Sequence, residues 1–162
     1  MSRLDSFIRR LEAQRACLKL AVELLRGRPG HVIEMGLGNG RTYDHLRELC
    51  PDREIFVFER QVAAHPDCIP DPEHLVLGDI EETLPGAAAR FAGRVALVHM
   101  DIGCGDPAAN RRISGFISEF LPRLLASGGL VVSDQAVDFP GARPLDPPAG
   151  VAPGRYHLNR LA

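Results

Sequence analysis

Five short runs of consecutive apolar residues, set between helix-like stretches, constrain this chain more than any other feature. The runs are His31–Met35, Glu54–Phe58, Leu75–Leu77, Val95–Met100 and Leu130–Ser133. They are apolar on successive positions rather than alternate ones, as strands covered on both faces are. Between them the spacing changes to three and four. A first helix over Leu4–Leu25 carries Leu4, Phe7, Ile8, Leu11, Leu18, Val22 and Leu25 at that spacing, and Gly27 can end it. Further helices are expected over Thr42–Leu49, Pro85–Phe91 and Ala108–Leu125, the last with one face made by Ile113, Phe116, Ile117, Phe120, Leu121, Leu124 and Leu125. Strands alternating with helices require right-handed crossovers, hence an α/β fold with a doubly wound, mostly parallel sheet. Arg60–His74, with Pro66, Pro70 and Pro72, reads as an extended crossover with at most one turn of helix. Beyond Asp134 the chain is rich in Pro and Gly until Arg155–Arg160, which alternates like an antiparallel edge strand.

A chain of 162 residues, 45% hydrophobic and 25% charged, makes one globular domain: an N-terminal helix over 1–28, a core over 31–134 and a loop-rich tail over 135–162. Nineteen basic side chains against 21 acidic ones leave a formal charge of −2, which argues against nucleic acid as a partner. Cys17, Cys50, Cys68 and Cys104 are scattered without a C-x-x-C pair, so the expectation is free thiols in a reducing cytoplasm. No apolar run is long enough to span a bilayer, and no basic stretch followed by an apolar one opens the chain.

The chemistry concentrates in Val32-Ile-Glu-Met-Gly-Leu-Gly-Asn-Gly-Arg-Thr42, where a buried strand runs through Gly36, Gly38 and Gly40 into a helix. Glycine there permits a sharp turn with positive φ and close approach of a ligand to main chain. A phosphate-binding P-loop would need Lys before Thr42 and Gly at position 35, where Arg41 and Met35 stand. The dinucleotide fingerprint G-x-G-x-x-G needs Gly where Arg41 is, which weakens that reading without removing it.

The remaining pattern, Glu34-x-Gly36-x-Gly38-x-Gly40, resembles motif I of the class I S-adenosylmethionine-dependent methyltransferases. Glu59 at the end of the second strand, Gly78-Asp79-Ile80 after the third, Asp101 after the fourth and Ser127-Gly128-Gly129-Leu130 before the fifth extend the resemblance from Val32 to Asp134. It implies a Rossmann-like sheet of order 3-2-1-4-5-7-6 with shortened C-terminal strands. It also implies a cofactor site made by Glu34, Gly36, Leu37, Gly38, Asn39, Gly40, Thr42, Glu59, Arg60, Asp79, Ile80 and Asp101, with Glu59 on the ribose and Asp79-Ile80 on the adenine. A compact bacterial type of the family is similar to this chain. S-adenosylmethionine carries a sulfonium, an ammonium and a carboxylate but no phosphate, so acids at the carboxyl ends of parallel strands suit it.

Methyl transfer is an in-line displacement that needs a base only when the acceptor must lose a proton. The catalytic candidates are Asp101, Asp134 and His99, with His157 a weaker one, and His65 and His74 read as surface residues. Asp101 with Asp134-Gln135 also resembles the ligand set of metal-dependent catechol-type O-methyltransferases, which would place magnesium there; Asp106 either joins it or caps the helix begun by Pro107. The segment after Asp134 leaves no room for a separate substrate domain. The expected acceptor is therefore a small molecule, or one bound in a pocket completed by the first helix, by Arg60–His74 or by a neighbouring subunit, and a homo-oligomer is expected. Two alternatives stay open: a non-catalytic S-adenosylmethionine-binding module and an NAD-dependent reductase.

Overall fold

The computed structural model describes residues 2–162. Its elements are α1 (Arg3–Leu24), β1 (His31–Met35), α2 (Arg41–Leu49), β2 (Ile55–Glu59), β3 (Leu75–Leu77), α3 (Ile80–Arg90), β4 (Val95–Met100), α4 (Pro107–Leu124), β5 (Leu125–Ser133), β6 (Ala142–Leu145) and β7 (His157–Leu161). All seven strands join one sheet in the order 3-2-1-4-5-7-6. β1 to β5 run parallel, and β7 pairs antiparallel with both β5 and β6. The doubly wound architecture is the one the apolar runs predict, and the strand order is the one the resemblance implies.

Every residue of β4 is buried because helices cover both of its faces. On one face Cys17, Leu18 and Ala21 of α1 and Tyr43 and Leu46 of α2 pack on Val32, Val57, Leu97 and Leu130. On the other, Leu84 and Phe91 with Ile117 and Leu121 of α4 pack on Ile33, Phe56, Val98 and Val131. The strand order reverses direction between β1 and β4, so their carboxyl ends open the crevice in which an open α/β sheet binds ligands.

Four details differ from the sequence expectation. The buried face of α1 is Ala13, Gln14, Cys17, Leu18 and Ala21, while Leu4, Phe7 and Ile8 are 66%, 42% and 44% exposed. Leu18 and Leu25 of the expected stripe remain buried, so the difference is confined to its N-terminal members in the first two turns of the helix. Second, α3 begins at Ile80 instead of near Pro85: the Asp79 side chain accepts from the Glu81 N–H, and Pro85 sits within the helix. Third, β5 begins at Leu125, ahead of the Gly128-Gly129 break, with an irregular register against β4 between Val95 and Leu97. Fourth, the tail strand is not at the edge. β7 lies between β5 and β6, and the edge is β6, where Pro144 is tolerated because an outer strand needs no complete ladder. Arg60–His74 is extended as expected, with one 3₁₀ turn at Pro66–Cys68.

That crossover packs against the glycine turn. Gly40 has φ +82°, and a Cβ there would overlap the Cβ of Cys68 and lie 2.8 Å from its carbonyl oxygen. Gly40→Ala is therefore expected to cost at least about 2 kcal/mol, from left-handed strain and displacement of the 3₁₀ turn. A thermal melt should show a fall of roughly 4–8 °C.

Candidate active site at the β1–β4 crevice

β1 ends in a turn whose glycines 36, 38 and 40 all have positive φ. A Cβ on Gly36 would lie 3.0 Å from the carbonyl oxygen of Asp101, so glycine lets the ends of β1 and β4 approach closely. Leu37 is buried in the α1/α2 layer and anchors the turn, whereas Gly38 and Asn39 are exposed at its tip.

Glu59, at the end of β2, reaches across to this turn. Its Oε2 accepts from the main-chain N–H of Leu37 at 2.8 Å and of Gly38 at 3.1 Å. Its Oε1 accepts from the N–H of Arg60 at 2.7 Å and of Gln61 at 3.1 Å. The Gly78 N–H donates to the Glu59 carbonyl at 3.0 Å, which brings Asp79 at the head of α3 to the same rim. Ile80 packs into the α3/α4 core, and Arg60 is exposed. Arg10, Gln14, Leu37, Gly38, Thr42 and Asp101 line a small crevice of about 80 Å³ beside the turn.

The floor of the crevice is a polar chain that sequence reasoning missed. The Arg10 guanidinium, on α1, donates to both oxygens of Asp101, at 3.0 and 3.1 Å. Gln14 Nε2 donates to Asp101 Oδ2 at 2.9 Å and to the Tyr156 hydroxyl at 3.1 Å. With His99 neutral, the Tyr156 O–H donates to His99 Nε2 at 2.7 Å and His99 Nδ1–H donates to Glu34 Oε2 at 2.6 Å. Protonating His99 reverses the Tyr156–His99 bond. Glu34 and His99 are both fully buried, and Glu34 Oε1 has no partner among the described residues.

Burial pushes the Glu34 carboxyl above its usual range, with His99 opposing that shift. For His99, burial disfavours the charged ring, yet Glu34, with Asp101 and Asp134 beyond it, outweighs that and raises its pKa. Burial also pushes the Tyr156 phenol far above its usual range, so its proton stays on oxygen.

Each catalytic candidate has a definite place. Asp101 faces the crevice, half-buried and paired with Arg10. His99 does not face it: with no exposed surface and both ring nitrogens bonded, it cannot touch an acceptor in this arrangement. Asp134 is tied to the loop after β4, its Oδ1 accepting from the Ile102 N–H at 3.2 Å and its Oδ2 from the Gly103 N–H at 3.0 Å and from Gln135 Nε2 at 2.9 Å. A side chain at Gly103 would overlap Asp134 Oδ2, so glycine is what admits the carboxylate there.

The magnesium expectation finds no support, because Arg10 and main-chain donors already engage these two carboxylates. Among the described residues no group of three His, Cys, Asp or Glu side chains could hold a metal ion. Asp106 caps α4, accepting from the N–H of Ala108 and Ala109. His157 pairs with Ser133 in the sheet, and His65 is exposed.

His74 lies away from the crevice, bonded to Asp71 at 2.8 Å, and that bond raises its pKa and lowers that of Asp71. A raised histidine contributes stability that is complete below its unfolded pKa of about 6.5 and is lost as pH rises through the folded value. The lowered aspartate contributes stability present above about 3.8 and lost on acidification through its folded value. Thermal melts of His74→Asn against the parent are thus expected to differ most between those limits and to converge as pH rises past the folded His74 value.

The free cysteines include Cys17, whose thiol burial pushes up to about 11, and no helix among the described residues is long and apolar enough to cross a membrane.

Comparison with known proteins agrees with the fold. The family model described as S-adenosyl-L-methionine methyltransferase matches residues 1–161. The crystal structure of an S-adenosyl-L-methionine methyltransferase from Silicibacter pomeroyi DSS-3 is 47% identical over 100% of this chain and 99% of its own, with a TM-score of 0.94. Human methyltransferase-like protein 13, solved with S-adenosylhomocysteine, shares the fold at 14% identity and TM-score 0.57 over 93% of this chain and 81% of its own. The 1,6-didemethyltoxoflavin-N1-methyltransferase of Burkholderia thailandensis does so at 17% identity and TM-score 0.51 over 91% of this chain and 79% of its own. A comparison with curated proteins gives no match. A family match over almost the whole chain, a half-identical structural relative and the strand order together show that this chain belongs to the class I S-adenosyl-L-methionine methyltransferases.

Proposed function

We propose that the chain methylates a small-molecule acceptor, holding S-adenosylmethionine across the carboxyl ends of β1 to β4. When bound, the cofactor supplies a sulfonium methyl group whose C–S electron pair returns to sulfur as the acceptor's lone pair forms the new bond. The observation that carries the assignment is Glu59: its carboxylate lies on the Leu37 and Gly38 amides, at the switch point, where a diol can exchange for main-chain donors. Asp79 and Ile80, on the same rim, form the adenine end.

The Arg10–Asp101 pair offers opposite charges to an α-amino-acid zwitterion, whose carboxylate would take Arg10 and whose ammonium would take Asp101. Leu37, Asn39, Gly40 and Thr42 shape the turn, and Arg60 closes its outer side. With His99 enclosed, Asp101 and Asp134 remain as the carboxylates that could take a proton from the acceptor, and His99 acts by holding Tyr156 and Gln14 against Asp101. The non-catalytic module and the reductase gain no observation of their own.

Calorimetry with S-adenosylhomocysteine tests the reading. Glu59→Gln, which keeps shape and loses charge, is expected to weaken binding about 10- to 100-fold, the worth of charge-assisted hydrogen bonds. Displacement by NAD but not by S-adenosylhomocysteine would overturn the assignment. The exposed stripe of Leu4, Phe7 and Ile8 supports a homo-oligomer, and a single monomeric species in sedimentation would end that reading. The free thiols fit a reducing cytoplasm.

A further inference from the structure

A second cavity adjoins the polar chain from the opposite flank of α1. It measures about 880 Å³ and lies between the first half of α1 and the loop 149–155 that leads into β7. That volume is within the range of small-molecule sites. Each of its two walls is next in sequence to a member of the polar chain. Ala13 lines the cavity and Gln14 bonds Asp101; Arg155 lines it and Tyr156 bonds Gln14 and His99. The cavity and the cofactor crevice share no lining residue, so an acceptor anchored in the cavity must extend past α1 to meet the methyl group.

The lining has a distinct charge. Arg9, Arg15 and Arg155 face it against a single carboxylate, Glu12, in a chain whose overall charge is −2. Arg155 is fixed from behind, its guanidinium donating to the Ser6 carbonyl at 2.8 Å and to the Ser6 hydroxyl at 3.3 Å. Arg9 and Arg15 have no ion pair or side-chain hydrogen bond among the described residues, although two carboxylates, Asp5 and Glu12, are near them in sequence. A groove with a surplus of guanidinium groups favours an anionic ligand.

We infer that the acceptor is a small acidic molecule, a carboxylate or a phosphate monoester, whose anionic group is held in this cavity by Arg9, Arg15 and Arg155. The inference rests on the cofactor assignment above and adds the acceptor's chemical class. Reaction then takes place at the acceptor's far end, toward Gln14 and Asp101.

The test uses the full chain saturated with S-adenosylhomocysteine, so that Arg10 and the crevice are occupied, and titrates benzoate, phenyl phosphate and the neutral benzamide by ligand-observed NMR. At least one anion is expected to bind about tenfold tighter than benzamide, and Arg9→Gln with Arg15→Gln to remove most of that difference. Both positions are exposed, so the fold is retained, and affinity for S-adenosylhomocysteine should change less than about twofold. Benzoate ahead of phenyl phosphate identifies a carboxylate acceptor, and the reverse a phosphate; either supports the inference. Equal binding of benzamide, no effect of the double substitution, or preference for a short RNA over both fragments overturns it. Failure of S-adenosylhomocysteine itself to bind refutes the cofactor assignment, whereas binding of S-adenosylhomocysteine without either anion refutes the acidic acceptor alone.

Discussion

Gly38→Val is expected to give a folded protein that has lost at least about a hundredfold in affinity for S-adenosylhomocysteine, or roughly 2.7 kcal/mol. Gly38 has φ +53° and nothing within 4 Å of where its Cβ would be, so no neighbour has to move. The cost to the fold is the left-handed strain of a branched residue, about 1–3 kcal/mol. The cost to binding is larger because the side chain projects from the turn whose amide now meets Glu59. Calorimetry beside a thermal melt separates the two. Gly40→Ala, in the same turn, is expected to show the reverse: a larger loss of stability for a smaller side chain, because Cys68 fills the space there. If Gly38→Val binds normally, the crevice is not the cofactor site.

The second large effect concerns the buried pair. His99→Phe leaves the Glu34 carboxylate enclosed without its partner, and breaking such a pair costs about 3–5 kcal/mol. For a chain of this length that lowers Tm by roughly 6–20 °C. The double variant His99→Phe with Glu34→Leu is expected to recover most of the loss, since replacing both partners by apolar groups removes the penalty of an isolated charge.

The pair also sets a pH dependence. His99 has a raised pKa, so its contribution is complete below about 6.5 and is lost as pH rises through its folded value. The parent's Tm should therefore fall over that alkaline interval, and the double variant's should fall less. A double variant as unstable as His99→Phe alone would show that packing, not charge, dominates the site. Because the chain ends on Asp101, loss of His99 is also expected to weaken S-adenosylhomocysteine binding, and His99→Gln, which retains one polar contact, to weaken it less.

The sequence held most of the fold but only half of the site. The consecutive apolar runs located β1, β3 and β4 to the residue, and Gly36, Glu59, Asp79 and Asp101 come to one rim because each ends or closely follows a strand, whereas Glu34 lies within β1 and is buried. Arg10, Gln14 and Tyr156 were invisible for a physical reason: their bonds join α1 and the tail to β4 across 91, 87 and 57 residues, and one sequence carries no record of such meetings. One local signal was present. Gln14 interrupts the run of small and apolar residues Ala13, Cys17, Leu18 and Ala21, and a buried amide on such a face must have a partner. The start of α3 was legible too, since Asp79 followed by Glu81 and Glu82 is a helix-opening pattern, but Pro85 drew the boundary too late. His99 shows the opposite error, a titratable side chain near the rim that points into the layer under α1.

The outer margins of the sheet have a consequence for how the molecule behaves in company. On one side the last strand is β6, four residues long with Pro144 in its middle; on the other it is β3, only three residues, approached through Pro70 and Pro72. A foreign strand seeking to zip onto either border meets too few free amides to gain a foothold. Self-association, where it occurs, must then proceed through side-chain faces rather than by growing the sheet, which favours discrete assemblies over open-ended fibres.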